Sequence, residues 1–381
     1  METTTKLVGR EILEVLYSPV NAFRKIIEKP DFKGVLLVLL LVVASTVALQ
    51  FVYNTKQLYE NRAPTNDNWT EGLIGQYTWT SIESVSLDAT DYQIGNSSIT
   101  SSVMDATTVW LKITDIDPIN CSGETGFTEL FFWINWTNED SLSASSGTLK
   151  LFSRSEDSYF KTDLTNLLAS NGEWGNTTLN VGPNQGWASI NSPDWQNITG
   201  IEFNLVWSVS ANLAMNIDGL FFRNFLSPIE SAGVGEAILY ISLSVIFSVG
   251  MNWILWAGIL VIVSKLFGEE LGQWNVFFVI IGNAFIATAV YTLVSTLLFT
   301  SLPPLTMPLD PDLQVASFSS TWLPNLAYQV GTIILWVGEV WIAALGAVVI
   351  RLLKNTTWGK AATISVAAFA IRFILRFFFG V

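Results

Sequence analysis

The sequence predicts an α-helical integral membrane bundle of five spans, with an all-β sandwich inserted between spans 1 and 2. Three observations carry this. Half of the 381 residues are hydrophobic, and they gather into five long runs. The segment between the first two runs alternates apolar and polar residues instead. That segment also holds the whole of the net charge of −13, with 20 acidic against 7 basic residues between positions 54 and 229.

A membrane-crossing helix needs about 20 mostly apolar residues. The runs 34–53, 237–267, 274–300, 328–350 and 361–379 meet that length. Only the last resists, because Arg372 and Arg376 interrupt it.

Residues 1–33 form a basic N-terminal segment. In "SPVNAFRKIIEKPDFKG", Ser18 is placed to cap a helix, Pro19 suits its first position and Pro30 ends it. Phe23, Ile26 and Ile27 make an apolar stripe opposite Arg24, Lys25 and Lys29. Such a helix is expected to lie in the membrane surface, its bases on anionic lipid headgroups. Six bases precede the first span: Lys6, Arg10, Arg24, Lys25, Lys29 and Lys33. The positive-inside rule therefore puts the N-terminus in the cytoplasm and makes residues 54–228 extracytoplasmic. Lys265, Arg351, Lys354 and Lys360 then fall in the later inside loops. The first span reads as an uncleaved anchor and the chain as a multi-pass plasma-membrane protein, with the lipid bilayer as its first partner.

Within 54–228, "VWLKITDI", "IEFNLVWS" and "LAMNIDGLFF" alternate with period two. Turn-rich pieces such as "SNGEWGN" and "NVGPNQG" separate the strands. Many short alternating strands of this kind predict one β-sandwich. The segment holds six N-x-[ST] acceptors, Asn68, Asn96, Asn120, Asn135, Asn176 and Asn197, expected to be glycosylated; a seventh, Asn355, falls inside. After the strands, "SPIESAGVGEA" offers Ser227 as cap, Pro228 as first residue and Glu230 as third, with a break expected at Gly233–Gly235.

There is no histidine, and Cys121 is the one cysteine. Intrachain disulfides, thiolate or imidazole metal sites, and Ser-His-Asp or Cys-His catalysis are thereby excluded. No Walker loop, G-x-S-x-G or G-x-G-x-x-G occurs, and the acidic balance excludes a nucleic-acid partner. The chain reads as no enzyme.

The stretch "SPVNAFRKIIEKPDFKG" with its following span resembles the opening of the Yip family, membrane proteins named for interacting with Ypt/Rab GTPases. So does "WILWAGILVIVSKLFGEELGQWNVFFVIIGNAFIATAV". The resemblance covers residues 11–53 and about 240–379. One departure stands out: the family often has a proline shortly after the G-x-A, whereas Gly282-Asn283-Ala284 is followed by Phe285, Ile286 and Ala287. In eukaryotes the family is associated with vesicle traffic and membrane shaping; with a sandwich inserted, the chain looks more like an archaeal or bacterial relative.

The exterior segment resembles jelly-roll, galactose-binding-like modules through "GNSSIT", "SPDWQNITGIEFNL" and "LAMNIDGLFF". The resemblance implies sugar binding and a structural calcium, for which Asp218 matches a last-strand ligand; a turn residue bonding backbone amides is the alternative for Asp218. Nine of the 16 tryptophans lie in this segment. Trp195 and Trp207 fit the core pattern, leaving Trp174 and Trp187, in Gly/Asn-rich loops, as the candidate ligand platform.

The arginines of the last span need a partner or an exit, since a charge at mid-bilayer costs about 2.5–3.5 kcal/mol. Glu339 is the one acid deep in the fourth span. Counted from the inside loops, Arg372 and Glu339 lie at matching depth, about 18 Å from the inner surface at 1.5 Å per residue. The expectation is a buried Glu339–Arg372 ion pair, with Arg376 snorkelling outward and Gly331, Gly338 and Gly346 letting the fifth span approach the fourth.

These features favour a non-enzymatic, Yip-like scaffold or receptor displaying a sandwich toward a cell-surface glycan or protein, with homo- or hetero-oligomers both compatible. A transporter or channel is the alternative, resting on Asn252, Asn283, Glu339 and the arginines; a membrane-shaping or trafficking factor is the third reading.

Overall fold

A computed structural model describes residues 14–72 and 78–379. Lys6 and Arg10 lie outside them. The chain divides into two compact units, one of residues up to Leu58 together with those from Ser227 onward, the other Tyr59–Leu226.

In the first unit, α1 (Pro19–Glu28) precedes α2 (Phe32–Lys56), whose start is capped by Asp31 accepting from the Lys33 N–H at 3.0 Å. The short α3 (Pro228–Ala232) begins with a complete capping box: Glu230 N–H donates to Ser227 Oγ at 3.2 Å, and Ser227 N–H donates to Glu230 Oε2 at 2.9 Å. Gly233, at φ 83°, breaks the chain before α4 (Val234–Leu266). The left-handed backbone there costs a glycine nothing.

Next come α5 (Trp274–Gly282) and α6 (Ile286–Phe299), joined by a single 3₁₀ turn at Asn283–Phe285. Asn283 donates its side-chain amide back to the Val279 carbonyl of α5 at 2.9 Å. The helix is thus irregular here without a proline. Then follow α7 (Pro311–Thr321), α8 (Leu326–Lys354) and α9 (Trp358–Phe379). Among the described residues, five helices are long and apolar enough to cross a membrane, counting α5 and α6 as one: Phe32–Lys56, Val234–Leu266, Trp274–Phe299, Leu326–Lys354 and Trp358–Arg376.

These helices close a ring. Going round it, α2 packs on α6, α6 on α8, α8 on α9, α9 on α4, and α4 back on α2. Trp256, Phe277, Val349 and Ile364 belong to one buried apolar cluster; Leu49, Phe299 and Trp322 form another with Tyr53 and Tyr328.

The glycines of α8 correct one expectation. A Cβ on Gly331 would sit 2.3 Å from the Phe299 ring and one on Gly338 would sit 2.9 Å from Tyr291, both on α6. Only Gly346 faces α9, with Ser365 Oγ 2.8 Å from its notional Cβ. At 3.6 residues per turn, a step of seven returns to the same azimuth, whereas a step of eight turns by roughly 80° toward another neighbour.

The basic N-terminal helix is corrected too. Phe23 and Ile26 are buried and Ile27 half-buried, packed with the bundle's core, while Arg24, Lys25 and Lys29 face outward. Its stripe is covered by α5 and α8 rather than by lipid. An apolar stripe fits a protein groove as well as a bilayer surface, so its sequence does not separate the two.

The second unit is antiparallel wherever its strands pair. Its strands are β1 (Gln57–Ala63), β2 (Thr78–Ser81), β3 (Val85–Asp88), β4 (Ser98–Ile119), β5 (Glu129–Asn138), β6 (Ser146–Ser153), β7 (Ser155–Asp163), β8 (Gly175–Asn180), β9 (Ala188–Ile190) and β10 (Ile198–Leu226). The long strands β4 and β10 each serve two layers. Val109–Thr114 of β4 pair with Gly200–Leu205 of β10, and β2, β6, β7 and β9 extend that layer. The register slips between Val206 and Ala211; beyond it, β10 pairs with Ile99–Val103 of β4 and with β5, and β3 and β8 complete a second layer. Phe132 of one layer meets Phe203 of the other with ring centroids 5.0 Å apart, and Trp136 meets Trp207 at 5.8 Å. Burial of these alternating side chains between the layers is the sandwich's main stabilisation.

Candidate functional site

The alternation that fills the sandwich core leaves the opposite face of the first layer outward. Across it, Trp110 of β4 stands beside Asn204 of β10, which stands beside Thr148 of β6. One step along, Lys112, Glu202, Lys150 and Lys161 form the next row. Tyr159 of β7 lies opposite Phe152. Lys112 pairs with Glu156 and Lys150 with Glu202, each at 2.7 Å. Lys112 Nζ is 5.9 Å from the Trp110 ring centre and Lys150 Nζ 5.4 Å from that of Tyr159. Trp110 and Tyr159 are half-buried and lie three strands apart, about 14 Å laterally at 4.8 Å per strand. The result is a broad polar face of mixed charge with two aromatic rings on it. Trp110 is not among the expected platform residues, although it takes the outward phase of "VWLKITDI".

The expected platform residues are otherwise engaged. Trp174 Nε1 donates to Asp91 Oδ1 at 2.6 Å. Trp187 donates to the Asn180 carbonyl at 2.8 Å and packs edge-on against Trp195, which is itself stacked on Phe160 at 3.7 Å. They are not brought together.

Asp218 is fully buried and ties loops to the sheet. Its Oδ2 accepts from the backbone N–H of Gln93 at 2.5 Å and of Ile94 at 2.8 Å; its Oδ1 accepts from Gly219 N–H at 2.8 Å and Thr70 Oγ1 at 3.3 Å. Beside it, buried Asp67 accepts the Thr70 hydroxyl. Burial, then the neighbouring Asp218 and Glu71 charges, push the Asp67 carboxyl up to about 8, against the opposing Thr70 hydrogen bond. Calcium asks for six to eight oxygen ligands. Asp218 is surrounded by N–H donors instead, and no group of three or more His, Cys, Asp or Glu suited to a metal occurs among the described residues. The donor set does not fit calcium, and Asp218 takes the amide-binding role.

Of the sequons, Asn68, Asn96, Asn120 and Asn176 are exposed and Asn197 is half-buried. Asn135 is corrected. Its side chain is 6% exposed and donates to Asp91 Oδ2 at 3.2 Å, on the face of β5 opposite the core residues Ile134 and Trp136. A glycan has no room there.

In the helical unit, Arg372 Nη1 lies 2.9 Å from Glu339 Oε2. Arg376 does not snorkel free: its Nη1 donates to the other oxygen, Oε1, at 3.2 Å. Residues four apart share one helix face, so both guanidinium groups reach a carboxylate that has two oxygens to offer. Asn252 accepts from Arg372 Nη2 at 3.4 Å. Asn283 stays with its own helix.

No protein-family model matches the chain, and no curated protein matches it. The Yip resemblance therefore rests on the residues that raised it. Solved structures similar to part of the chain include carbohydrate-binding modules. A family 11 module from Clostridium thermocellum, in complex with a β-1,3-1,4-mixed-linked tetrasaccharide, is 13% identical over 44% of this chain and 95% of its own, at a TM-score of 0.30. A family 30 module of a Clostridium thermocellum cellulosomal cellulase is 12% identical over 42% of this chain and 91% of its own, at 0.29. A family 29 module complexed with mannohexaose is 10% identical over 43% and 92%, at 0.28. At such scores the likeness carries no ligand over to this chain.

Proposed function

We propose that this chain is a non-enzymatic, Yip-like multi-pass membrane protein that holds a jelly-roll sandwich outside the cell as a recognition module for a glycan. The outward face of the first layer carries the proposal. Trp110 and Tyr159 supply flat apolar surface on which the C–H face of a sugar ring stacks, and the lysine, glutamate and asparagine rows around them supply donors and acceptors for hydroxyls. The acidic composition of the segment and the exposed Asn68, Asn96, Asn120 and Asn176 support its exterior placement, with those four as the glycan acceptors.

Residues 59–226, expressed alone, test this on a glycan array followed by titration of any hit. Trp110→Ala removes an outward side chain and leaves the core intact, so the fold persists. The proposal predicts a hit that weakens at least about tenfold in Trp110→Ala. Absence of any hit, or a hit indifferent to Trp110, removes glycan recognition from this face and leaves a spacer or protein-contact module.

A further inference from the structure

Between the five helices lies a partly open cavity of about 650 Å³, lined by residues of α2, α4, α6, α8 and α9. That volume lies in the range of small-ligand sites, roughly 300–1,000 Å³. Its lining is polar for a membrane interior: Gln50, Asn252 and Thr288 contribute alongside Glu339, Arg372 and Arg376. Glu339 is the only acid among the lining residues and the two arginines the only bases, so the cavity carries one positive charge in excess.

Arg372 is 8% exposed, yet its Nε has no hydrogen-bond partner among the described residues. Thr288 Oγ1, also buried, has none either. The Trp256 ring lies 5.6 Å from the Arg372 guanidinium and offers only a π face. A buried polar group without a partner is costly, and an uncompensated cation in lipid more so. Beside the cavity, and sharing Trp336 with it, lies an exposed apolar face of α8 made by Ile333, Val337 and Val340.

We infer that the ring binds an anionic amphiphile, its phosphate or carboxylate headgroup in the cavity on Arg372, Arg376 and Thr288 and its chain along the exposed apolar face of α8. The excess charge selects an anion, the unpaired Nε and hydroxyl supply donors, and the adjoining apolar face favours a headgroup that carries a chain over a free ion.

Thermal unfolding of the full chain in non-ionic detergent tests this with three probes: a short-chain phosphatidylglycerol, the phosphatidylcholine of equal chain length, and inorganic phosphate. The expected result is a rise of several degrees with phosphatidylglycerol and none with phosphatidylcholine. Arg376→Gln leaves the buried Glu339–Arg372 pair in place and removes the excess charge, and its half-exposed position spares the fold. It should weaken the apparent affinity about tenfold, and Thr288→Val should weaken it in the same direction. If inorganic phosphate alone reproduces the rise, and Arg376→Gln removes it, the anion site stands and its occupant is a free anion. Equal stabilisation by both lipids, no stabilisation by any probe, or a response unchanged in Arg376→Gln overturns the site.

Discussion

Glu339 and Arg372 meet at 2.9 Å across neighbouring helices, and the second carboxylate oxygen of Glu339 holds Arg376 at 3.2 Å. The pair is largely buried, with side-chain exposures of 23% and 9%. Removing one partner leaves the other charge uncompensated, a loss of about 3–5 kcal/mol for a buried pair. Glu339→Gln should therefore lower the melting temperature of the detergent-solubilised protein sharply, and Glu339→Leu with Arg372→Leu should recover most of it. Calorimetry of both singles and the double gives the coupling; a double as damaging as the sum of the singles contradicts it.

Asp67 predicts a pH dependence. Its carboxyl ionises near 8 in the folded chain against an ordinary 3.8, so the folded state retains a proton that the unfolded state gives up. Its contribution is fully present below about pH 4 and is lost as pH rises through 8. Denaturant titrations of residues 59–226 between pH 5 and 9 should show stability falling, and Asp67→Asn should flatten that slope. A slope unchanged in the variant assigns it to other groups.

Asp218 predicts indifference to calcium. With its oxygens already accepting from Gln93, Ile94, Gly219 and Thr70, millimolar calcium should leave the unfolding of residues 59–226 unmoved. Asp218→Asn turns an amide donor toward N–H groups and should cost about 1–3 kcal/mol with or without the ion. A calcium-dependent rise in melting temperature that Asp218→Asn abolishes would restore the metal site.

Gly282 predicts a packing limit. A Cβ there would lie 2.5 Å from Val35 Cγ1 and 3.1 Å from the Trp253 indole nitrogen. Gly282→Val should thus push α2 away and destabilise by roughly 1–3 kcal/mol, as overpacking does. Gly359→Ala, where nothing lies within 4 Å of the added carbon, is the matched control. Equal melting temperatures for the two variants contradict the close approach.

The five long helices were legible because apolar run length is a strong signal, and their ends moved by only a few residues. Strand alternation likewise revealed the sandwich core: Leu111, Ile113, Phe203 and Leu205 are all buried. What stayed hidden depends on distant partners. Nothing local to Phe23 says whether lipid or α8 covers it, and nothing local to Arg376 says that Glu339 has an oxygen to spare. Trp174 and Trp187 sit in loop-like sequence, yet each indole N–H finds an acceptor. Asn135 satisfies the sequon pattern from inside a strand. The ring's cavity was the least visible, since its polar groups come singly from separate helices.

A recognition module has to face outward from the cell. Protease added to intact cells or right-side-out vesicles should remove residues 54–229 and leave a tag at the N-terminus protected, as positive charge before the first span requires. Digestion of that tag while the sandwich survives would invert the topology and contradict a recognition module displayed outside.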